Sequence, residues 1–406
     1  MKILYLHQYF VTPDMPGGGR PFEMARRLVR AGHQVHVFAL DQTATRGRPG
    51  AWKTSVEEGV TVHWLVRRYA NSMSYGERLF VFAHYAAETA LRAALEGGDI
   101  VFASSTPLTV AVPAIAASLG RRIPMVFEVR DLWPEVPIAL GALRNPAAVL
   151  GAKLLERAAY WRARKVVALS SDMCDSIVAG GVNRGKVAVI PNGCDFETFL
   201  VDPGAVSALR ARTEWLGSRP LILYAGALGV VNGLEYMVRL AEEALKIDPE
   251  VRFAVIGEGR EEGRIRALAE SAGVIGNNFF MLPVLPKSRI PEWFGASTVV
   301  LSLVKKIPAL WKNSANKFFD GLATGRPIAI NYGGWQARMV EEYGAGLVLD
   351  PEDARAGAHA LLGVVRDSDW LERAGAASAR MAREHFARDD LARQLAQVLE
   401  EAMARG

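Results

Sequence analysis

The sequence predicts an α/β protein of two Rossmann-like, doubly wound domains that face a central cleft. Strand-like and helix-like patterns alternate from one end of the chain to the other, which is typical of parallel sheets covered by helices. The length of 406 residues is sufficient for more than one core. A turn-rich segment, Ile190-Pro191-Asn192-Gly193-Cys194-Asp195, divides the pattern into two series.

The first series has seven apolar segments of strand length, with helical patterns between most of them, and defines an N-terminal domain over residues 1–195. Its predicted strands are Lys2–His7, Gln34–Ala39, Thr61–Val66, Ile100–Ala103, Pro124–Val129, Lys165–Leu169 and Val187–Ile190.

The second series defines a C-terminal domain over residues 196–385, and a helical pattern continues from about Asp367 to Ala404. Its predicted strands are Leu221–Ala225, Arg252–Ile256, Phe279–Leu282, Val299–Leu303, Ile328–Ile330 and Gly346–Leu349.

Composition and charge indicate the cellular compartment of the protein and the kinds of partner that it can bind. The chain has two cysteines and no paired motif, which favours a reducing compartment, and its first residues indicate a strand rather than a signal peptide. The uncharged run from Ile100 to Gly120 is split by Ser104-Ser105-Thr106-Pro107 into a strand and a helix, which disfavours a membrane span. Up to Ile190 there are 23 basic and 15 acidic residues. This excess predicts an anionic partner, which is either a membrane surface or a phosphorylated substrate. The alternative is a charged face that is simply solvated. No motif for nucleic acid accompanies this charge.

Two segments of the N-terminal domain follow predicted strands and carry candidate site residues. Gly17 and Gly18 lie before a predicted helix, where their backbone can approach an anion, and Arg20 follows them. A plain flexible loop is the alternative. The spacing is not that of a dinucleotide-binding loop.

The second segment is Glu128-Val129-Arg130-Asp131-Leu132-Trp133-Pro134-Glu135, a polar cluster at a strand end, where an α/β fold binds its ligands. A structural ion pair between Arg130 and a carboxylate explains part of it equally well.

The C-terminal domain repeats this logic. Gly226 lies in a glycine-rich loop after a strand, and Asn316 is expected to cap a helix. Lys317 in the first turn can reach a phosphate, and Asp320, one turn further, can accept hydrogen bonds from a ribose diol. The alternative is a surface pair of Lys317 and Asp320 that contributes little.

Metal and nucleophile chemistry have weak signals, so we predict no metal and no cofactor. His33 and His36 are expected to point to opposite faces of a strand, and Asp367-Ser368-Asp369 is expected to cap the helix that begins near Trp370. No GxSxG motif occurs.

The chain resembles the family-4 retaining glycosyltransferases of the GT-B fold, because five of its motifs occur in the order that is typical of that family. Within that family, the chain is similar to the bacterial branch that builds O-antigen and capsule repeats, including the L-N-acetylfucosamine transferases. The motifs are Gly17-Gly18-Gly19, the segment from Glu128 to Glu135, Ile190-Pro191-Asn192-Gly193, Ile256-Gly257-Glu258-Gly259, and Asn316-Lys317-Phe318-Phe319-Asp320-Gly321-Leu322-Ala323.

The resemblance implies a UDP-linked sugar donor on the C-terminal domain and an acceptor on the N-terminal domain. Asp320 takes the place of the glutamate that grips the donor ribose, and the backbone up to Val284 lies where the family holds the base. Glu258 belongs to a matching motif and is assigned to the donor. The residues 386–406 would form a helix that crosses back to the N-terminal domain.

Three departures from the family pattern concern charge. Lys312 stands where a first glutamate is usual, and Ala227 and Asn232 stand where the family has an arginine and a lysine for the diphosphate. Arg130-Asp131 replaces a His-Asp pair. We therefore expect Lys317, with Lys312, to stabilise the leaving diphosphate, together with N–H groups at Gly226, Asn316 and the Gly17-Gly18 loop.

The expected reaction is transfer of an N-acetylated, in particular a 6-deoxy, hexosamine to a lipid-linked or polyprenyl-diphosphate-linked glycan of lipopolysaccharide or capsule, at the cytoplasmic face of the inner membrane. Arg130 and Asp131 would position the sugar and the acceptor, and Arg20, Trp133 and Glu135 would contact the acceptor. Two alternatives stay open: a nucleotide-sugar 2-epimerase, and a non-catalytic subunit that binds a nucleotide sugar.

Overall fold

The computed structural model describes residues 1–15, 19–41, 48–69, 73 and 75–404. Their contacts form two units, of which the first contains residues 1–191 and 388–406 and the second contains residues 192–387.

The first unit has an eight-stranded sheet in the order β3-β4-β2-β1-β5-β6-β7-β8. All neighbours are parallel except β3 and β4. Because the chain leaves β1 for β2 on one side and reaches β5 on the other, the carboxyl ends of β1 and β5 form a topological switch point, where open sheets bind ligands. The strands are β1 (Lys2–Leu6), β2 (Gln34–Asp41), β3 (Trp52–Glu57), β4 (Val60–Val66), β5 (Ile100–Ser104), β6 (Met125–Val129), β7 (Lys165–Ala168) and β8 (Val187–Val189).

Among the strands of this unit that the structure describes, β3 is the one that the sequence analysis did not predict. Its residues are mostly polar or exposed, and it pairs only with β4, at the edge of the sheet. Glu58 and Gly59 connect the two strands with φ angles of 46° and 83°. Two central residues with positive φ are typical of the tight turns that join twisted antiparallel strands.

Helices cover both faces of this sheet. The last helix belongs to this unit: Leu391, Leu395 and Leu399 recur every fourth residue and are buried in a core with the first helix and the odd-numbered residues of β1 and β2. The helices are α1 (Arg20–Arg30), α2 (Tyr75–Glu96), α3 (Ala111–Arg121), α4 (Glu135–Ala139), α5 (Pro146–Arg162), α6 (Ser171–Ala179) and α16 (Arg388–Ala404).

The second unit has a six-stranded parallel sheet in the order β11-β10-β9-β12-β13-β14, with its switch point between β9 and β12. Its strands are β9 (Leu221–Ala225), β10 (Arg252–Ile256), β11 (Phe279–Leu282), β12 (Val299–Ser302), β13 (Ile328–Ile330) and β14 (Gly346–Val348). Its helices are α7 (Pro203–Arg212), α8 (Glu235–Leu245), α9 (Glu262–Ser271), α10 (Ile290–Ala296), α11 (Pro308–Trp311), α12 (Asn316–Ala323), α13 (Trp335–Tyr343), α14 (Ala354–Val364) and α15 (Ser368–His385).

The two Rossmann-like parallel sheets confirm the predicted fold class, and most predicted strands agree with the observed ones within two residues. Asp367 accepts a hydrogen bond from the Trp370 N–H as the cap of α15, as predicted. The capping role predicted for Asn316 is wrong, because Ala315 occupies the cap position of α12 and Asn316 is its first helical residue. None of the described helices is long and apolar enough to cross a bilayer.

Candidate active site

A buried polar network lies at the carboxyl ends of β1, β5 and β6 in the first unit. Glu128 at the end of β6 pairs with Arg20 of α1 at 2.7 Å, and only 1% of either side chain is exposed. The Ser104 hydroxyl donates to the other carboxylate oxygen of Glu128 at 2.7 Å. The guanidinium of Arg20 also donates to the carbonyls of Ile190 and Pro191. This network therefore holds the start of α1, and the residues Ile190 and Pro191 that follow β8, against the end of β6.

The burial of Arg20 corrects its predicted role as an acceptor-binding residue. Its donors point to Glu128 and to two backbone carbonyls in the interior, so Arg20 positions Glu128 and the strand ends instead. Burial by itself would raise the pKa of Glu128, but the charge and hydrogen bonds of Arg20 hold that pKa below its ordinary value.

Arg130 is oriented by a neutral histidine that directly follows β1. The Nδ1 atom of His7 lies 3.0 Å from the Ser104 carbonyl oxygen, which can only accept, so Nδ1 carries the proton. Nε2 is then the acceptor for the Arg130 guanidinium at 3.2 Å. Burial, reinforced by the Arg130 charge, lowers the pKa of His7 to about 3, in agreement with this neutral tautomer.

Asp131 follows directly and is held from the neighbouring strand end. The Thr106 hydroxyl donates to its carboxylate at 2.7 Å, and the Ser105 hydroxyl accepts from the Arg130 N–H at 3.1 Å. Trp133 is half-buried, and Glu135 is exposed at the start of α4. Gly17 and Gly18 lie outside the described residues.

Gln8 is a polar residue of this region that the sequence analysis did not single out. It is completely buried, and neither polar atom of its side-chain amide has a partner among the described residues. The signal that could have found His7 and Gln8 is their position, directly after the central strand of the predicted sheet.

In the second unit, the loops after β9 and β10 approach each other so closely that only glycine fits. Gly226 and Gly257 have φ angles of 149° and 143°. A Cβ atom on Gly257 would lie 2.1 Å from the Gly226 carbonyl oxygen, and the Leu228 N–H donates to the Glu258 carbonyl at 2.9 Å. The two loops thus form one backbone surface at the carboxyl ends of β9 and β10, beside the switch point.

The Lys317 side chain lies across this surface. A Cβ atom on Gly226 would be 2.6 Å from the Lys317 Cε. The ammonium group donates to the Asn232 side-chain oxygen at 3.0 Å and lies 5.0 Å from the centre of the Tyr224 ring. Burial lowers the pKa of Lys317 to about 8, although the charge of Asp320 acts in the opposite direction.

The remaining predicted donor residues differ in exposure. Lys312 and Asp320 are half-buried, whereas Asn316 and Glu258 are exposed, and 52% of Val284 is exposed. The structure brings Gly226 and Lys317 together, with the charge of Asp320 close enough to act on Lys317. It adds Asn232 and Tyr224, which the sequence analysis did not assign to the site.

The segment Asn192–Cys194 orders the loop before α12. The Asn192 amide donates to the Ser314 carbonyl at 2.6 Å, and the Ser314 hydroxyl accepts from the Asn192 N–H at 3.2 Å. The Cys194 thiol donates to the Phe319 carbonyl at 3.1 Å. These contacts fix the start of the helix that carries Lys317.

Comparisons with protein families match both units. Residues 18–193 match the glycosyl transferase 4-like domain, and residues 206–381 match the glycosyl transferases group 1 domain.

Individual relatives are distant in sequence. WcaI of Escherichia coli K12, a glycosyl transferase assigned to colanic acid biosynthesis, is 24% identical over 309 residues, which are 70% of this chain and 72% of that protein. Matches to several D-inositol 3-phosphate glycosyltransferases span about half the length of those proteins.

Solved structures share the fold over the whole chain. Sucrose-phosphate synthase from Thermosynechococcus elongatus superposes with a TM-score of 0.80 at 16% identity and covers 100% of both chains. HepE of Anabaena in complex with UDP-glucose has a TM-score of 0.74 at 18% identity, covering 99% of this chain and 100% of that one.

Proposed function

Because this chain belongs to the glycosyltransferases that join a 4-like domain to a group 1 domain, we propose that it transfers a sugar from a UDP-sugar to a glycan acceptor with retention of the anomeric configuration. The observation that carries this proposal is Lys317, a largely desolvated cation held on the glycine loops at the switch point of the second unit. A partly buried cation in the first turn of a helix suits a diphosphate leaving group. HepE, which has the same fold, was solved with UDP-glucose.

The donor would bind along the strand ends of the second unit. Lys317, with Lys312, would compensate the diphosphate charge, and the N–H group of Asn316, the first residue of α12, would donate to its oxygens. The predicted donation from the Gly226 N–H is wrong, because this group already donates to the Ile256 carbonyl at 2.9 Å. Asp320 would accept the ribose hydroxyls. Glu258 and Val284, which are exposed after β10 and β11, would contact the nucleobase of the donor.

The chemistry requires no metal and no covalent intermediate in this proposal. The anomeric carbon passes through an oxocarbenium-like state as its bond to the diphosphate oxygen breaks. The departing diphosphate accepts the proton of the acceptor hydroxyl, whose oxygen bonds to the same face of the sugar. Lys317 stabilises the negative charge that develops on the leaving oxygen, and such stabilisation is usually the largest catalytic contribution.

Arg130 and Asp131 would position the sugar and the acceptor hydroxyl. Both are held by neighbouring strand ends: His7 accepts from Arg130, and Thr106 donates to Asp131. Side chains held in this way keep the reacting groups aligned, which reduces the entropic part of the barrier. Trp133 and Glu135 follow on the same segment and would contact the acceptor sugar.

The acceptor that we propose is a lipid-linked glycan of lipopolysaccharide or capsule, and the transferred sugar is an N-acetylated hexosamine. The similarity to WcaI supports this class of pathway. The structure supports membrane contact through an apolar face of the first unit, which we call the α2-α3-α5 face. Its exposed apolar residues are Leu91, Leu95, Val112, Leu119, Leu150, Leu154 and Trp161.

These residues recur at helical spacing, with Leu150, Leu154 and Trp161 along one side of α5. Trp161 is 82% exposed, and exposed basic residues, among them Lys153 and Arg157, surround the apolar ones. Apolar side chains with basic neighbours are the chemistry that binds an anionic bilayer. We therefore propose that the α2-α3-α5 face rests on the anionic membrane that carries the acceptor.

The function is tested by screening UDP-sugars for thermal stabilisation and then for transfer to a polyprenyl-diphosphate-linked sugar. We expect transfer with the purified chain and a loss of at least about tenfold, or about 1.4 kcal/mol, for Lys317→Ala. Conversion of the donor alone to its 2-epimer would instead identify an epimerase, and donor binding without turnover would identify a non-catalytic subunit.

Membrane contact is tested separately by co-sedimentation with vesicles. Vesicles that contain anionic phospholipid should bind the wild-type protein more strongly than neutral vesicles. Leu154→Glu should weaken this binding, whereas the matched variant Leu268→Glu, exposed on α9 of the second unit, should not. Equal binding of all three proteins would contradict the assignment of the α2-α3-α5 face.

A further inference from the structure

Three side chains that the proposed reaction does not use meet on one face of the first unit's sheet. His36 lies on β2, His63 lies on β4, and Glu96 is the last residue of α2. One ligand atom from each lies within 4.8 Å of the other two. His7 and Arg130 belong to the opposite face, because His7 continues the odd-numbered side of β1, which packs against α1 and α16.

Two of the three distances among these groups are close to the edges of a metal coordination tetrahedron, and the third is slightly longer. His36 Nδ1 lies 3.2 Å from His63 Nε2 and 3.3 Å from a Glu96 carboxylate oxygen, and His63 Nε2 lies 3.8 Å from the other oxygen. Ligands at about 2.0–2.2 Å from zinc, at tetrahedral angles, are about 3.3–3.6 Å apart. Two imidazoles and one carboxylate are also a ligand set that zinc takes in proteins.

We propose that His36, His63 and Glu96 bind one divalent ion of the zinc class, with the fourth position left to water. The ion would tie the end of α2 to β2 and β4. It would act on stability and not on transfer, since the proposed reaction proceeds at the other face of the sheet.

The surroundings of His63 already hold it in the required orientation. The Thr54 hydroxyl lies 3.2 Å from the Nδ1 atom of His63. The His63 ring stacks on the Phe38 ring, with the two centroids 4.9 Å apart. A hydrogen bond between Nδ1–H and Thr54 leaves Nε2 as the metal-binding atom, as is usual for histidine ligands with an outer-shell partner.

Protonation also suits the site. Burial lowers the pKa of both histidines, that of His63 to about 4, so both rings are neutral at neutral pH, the form that binds a metal.

One neighbouring cation competes for the carboxylate. The Lys2 ammonium lies 2.9 Å from the Glu96 oxygen and also donates to the Glu96 carbonyl at 3.1 Å. Arg92 lies further away, at 3.9 Å from the other Glu96 oxygen. A metal ion must share or replace the contact with Lys2, so removal of this ammonium should raise the metal affinity.

The test is titration of the metal-stripped, full-length protein with Co²⁺ alone, followed by visible absorption. We expect one equivalent to bind with the strong absorption of a four-coordinate site, and Zn²⁺ to displace it. His63→Ala and Glu96→Gln should each lower the affinity by at least about tenfold, whereas Lys2→Met should raise it. His359→Ala, which removes an exposed histidine elsewhere, is the matched control and should bind as the wild type does.

Thr54→Val keeps all three ligands and changes an exposed edge strand, so it tests the site even if a ligand variant unfolds. Loss of this outer-shell partner should lower the Co²⁺ affinity by about 10–100-fold. The absence of a stoichiometric Co²⁺ site, or equal affinities of the wild type, His63→Ala and Thr54→Val, would overturn the proposal. The cluster would then be an ion-pair network centred on Lys2 and Glu96.

Discussion

The pKa of Lys317 predicts how transfer depends on pH. With a pKa of about 8, about nine-tenths of the free protein carries the Lys317 charge at pH 7 and about one-tenth at pH 9. If this charge stabilises the leaving diphosphate, kcat/KM for the donor should fall about tenfold between these two values, because kcat/KM reports the pKa values of the free enzyme. Lys317→Arg keeps its charge throughout this range, so its profile should be flat.

The same burial predicts that Lys317 destabilises the fold. A pKa of about 8 instead of 10.5 corresponds to about 3 kcal/mol at neutral pH, at about 1.4 kcal/mol per pH unit. Lys317→Met removes this cost and loses the hydrogen bond to Asn232, which contributes about 1 kcal/mol. The free energy of unfolding of the variant should therefore be about 2 kcal/mol higher than that of wild type at pH 7, although its turnover falls at least about tenfold.

The sign of the pH effect on stability is opposite to that on activity. Between pH 8 and 10.5 the unfolded chain holds a proton on Lys317 that the folded chain has lost, so wild-type stability from this group rises with pH. The advantage of Lys317→Met should shrink over this window.

Urea-induced unfolding at pH 7 and 9.5, together with donor kinetics at the same pH values, checks both effects. Lys306→Met, which removes an exposed lysine paired with Glu352, is the control and should change neither. Two results would refute the role of this charge. One is a wild-type kcat/KM that stays constant from pH 7 to 9.5, and the other is a kcat/KM of Lys317→Met that falls with pH as steeply as that of wild type.

Two further variants test the backbone surface and the buried ion pair. Gly257→Ala should destabilise the protein by about 1–3 kcal/mol and raise the donor KM, because its Cβ meets the Gly226 carbonyl; thermal melting should show Gly263→Ala, in an open position of α9, gaining up to about 1 kcal/mol instead. Glu128→Gln should cost about 3–5 kcal/mol in urea-induced unfolding at pH 7, since it leaves Arg20 buried without a counter-charge. The difference from wild type should narrow as the pH falls below 4.5, the ordinary pKa of the Glu128 carboxyl, and a constant difference would contradict the lowered pKa.

The strands and their ends could be predicted because the central strands are largely apolar runs. β5, β6, β9 and β10 are buried at every residue, and such runs between polar segments are typical of parallel sheets. β3 lacks this signal, because its residues at the edge of the sheet are exposed or only partly buried and therefore need not be apolar. The position of Lys317 in a first helical turn was also visible in the sequence.

Partners distant in the chain could not be predicted. Arg20 and Glu128 are 108 positions apart, and nothing in either local pattern indicates that one neutralises the other. His36 and His63 each lie in a readable strand, but their contact requires that β2 and β4 be neighbours in a register that places His63 beside Phe38. Alternation defines the face of a side chain within one strand, whereas pairing between strands is decided by the whole fold.

The Asn232 side chain connects the missing family cations with the position of Lys317. The resemblance implies a lysine at the position of Asn232. The Asn232 oxygen accepts from the Lys317 ammonium at 3.0 Å, so a second ammonium here would face the first. Asn232→Lys should therefore lower the pKa of Lys317 and move the alkaline fall of kcat/KM to lower pH, whereas Asn232→Asp should move it to higher pH. Charges at this distance shift a pKa by about 1–3 units.

Asn232→Asp also loses the amide that donates to the Ala227 carbonyl at 2.7 Å and places a carboxylate beside the diphosphate, so its maximal kcat/KM should be lower than that of wild type. The position of the alkaline limb separates this electrostatic effect from general damage, because damage lowers the whole profile without displacing it. Donor kinetics from pH 6 to 10 measure both quantities. Displacement of the limb in the same direction in both variants would show that a group other than Lys317 titrates, and the charge compensation would then have to be sought elsewhere, with Lys312 as the next candidate.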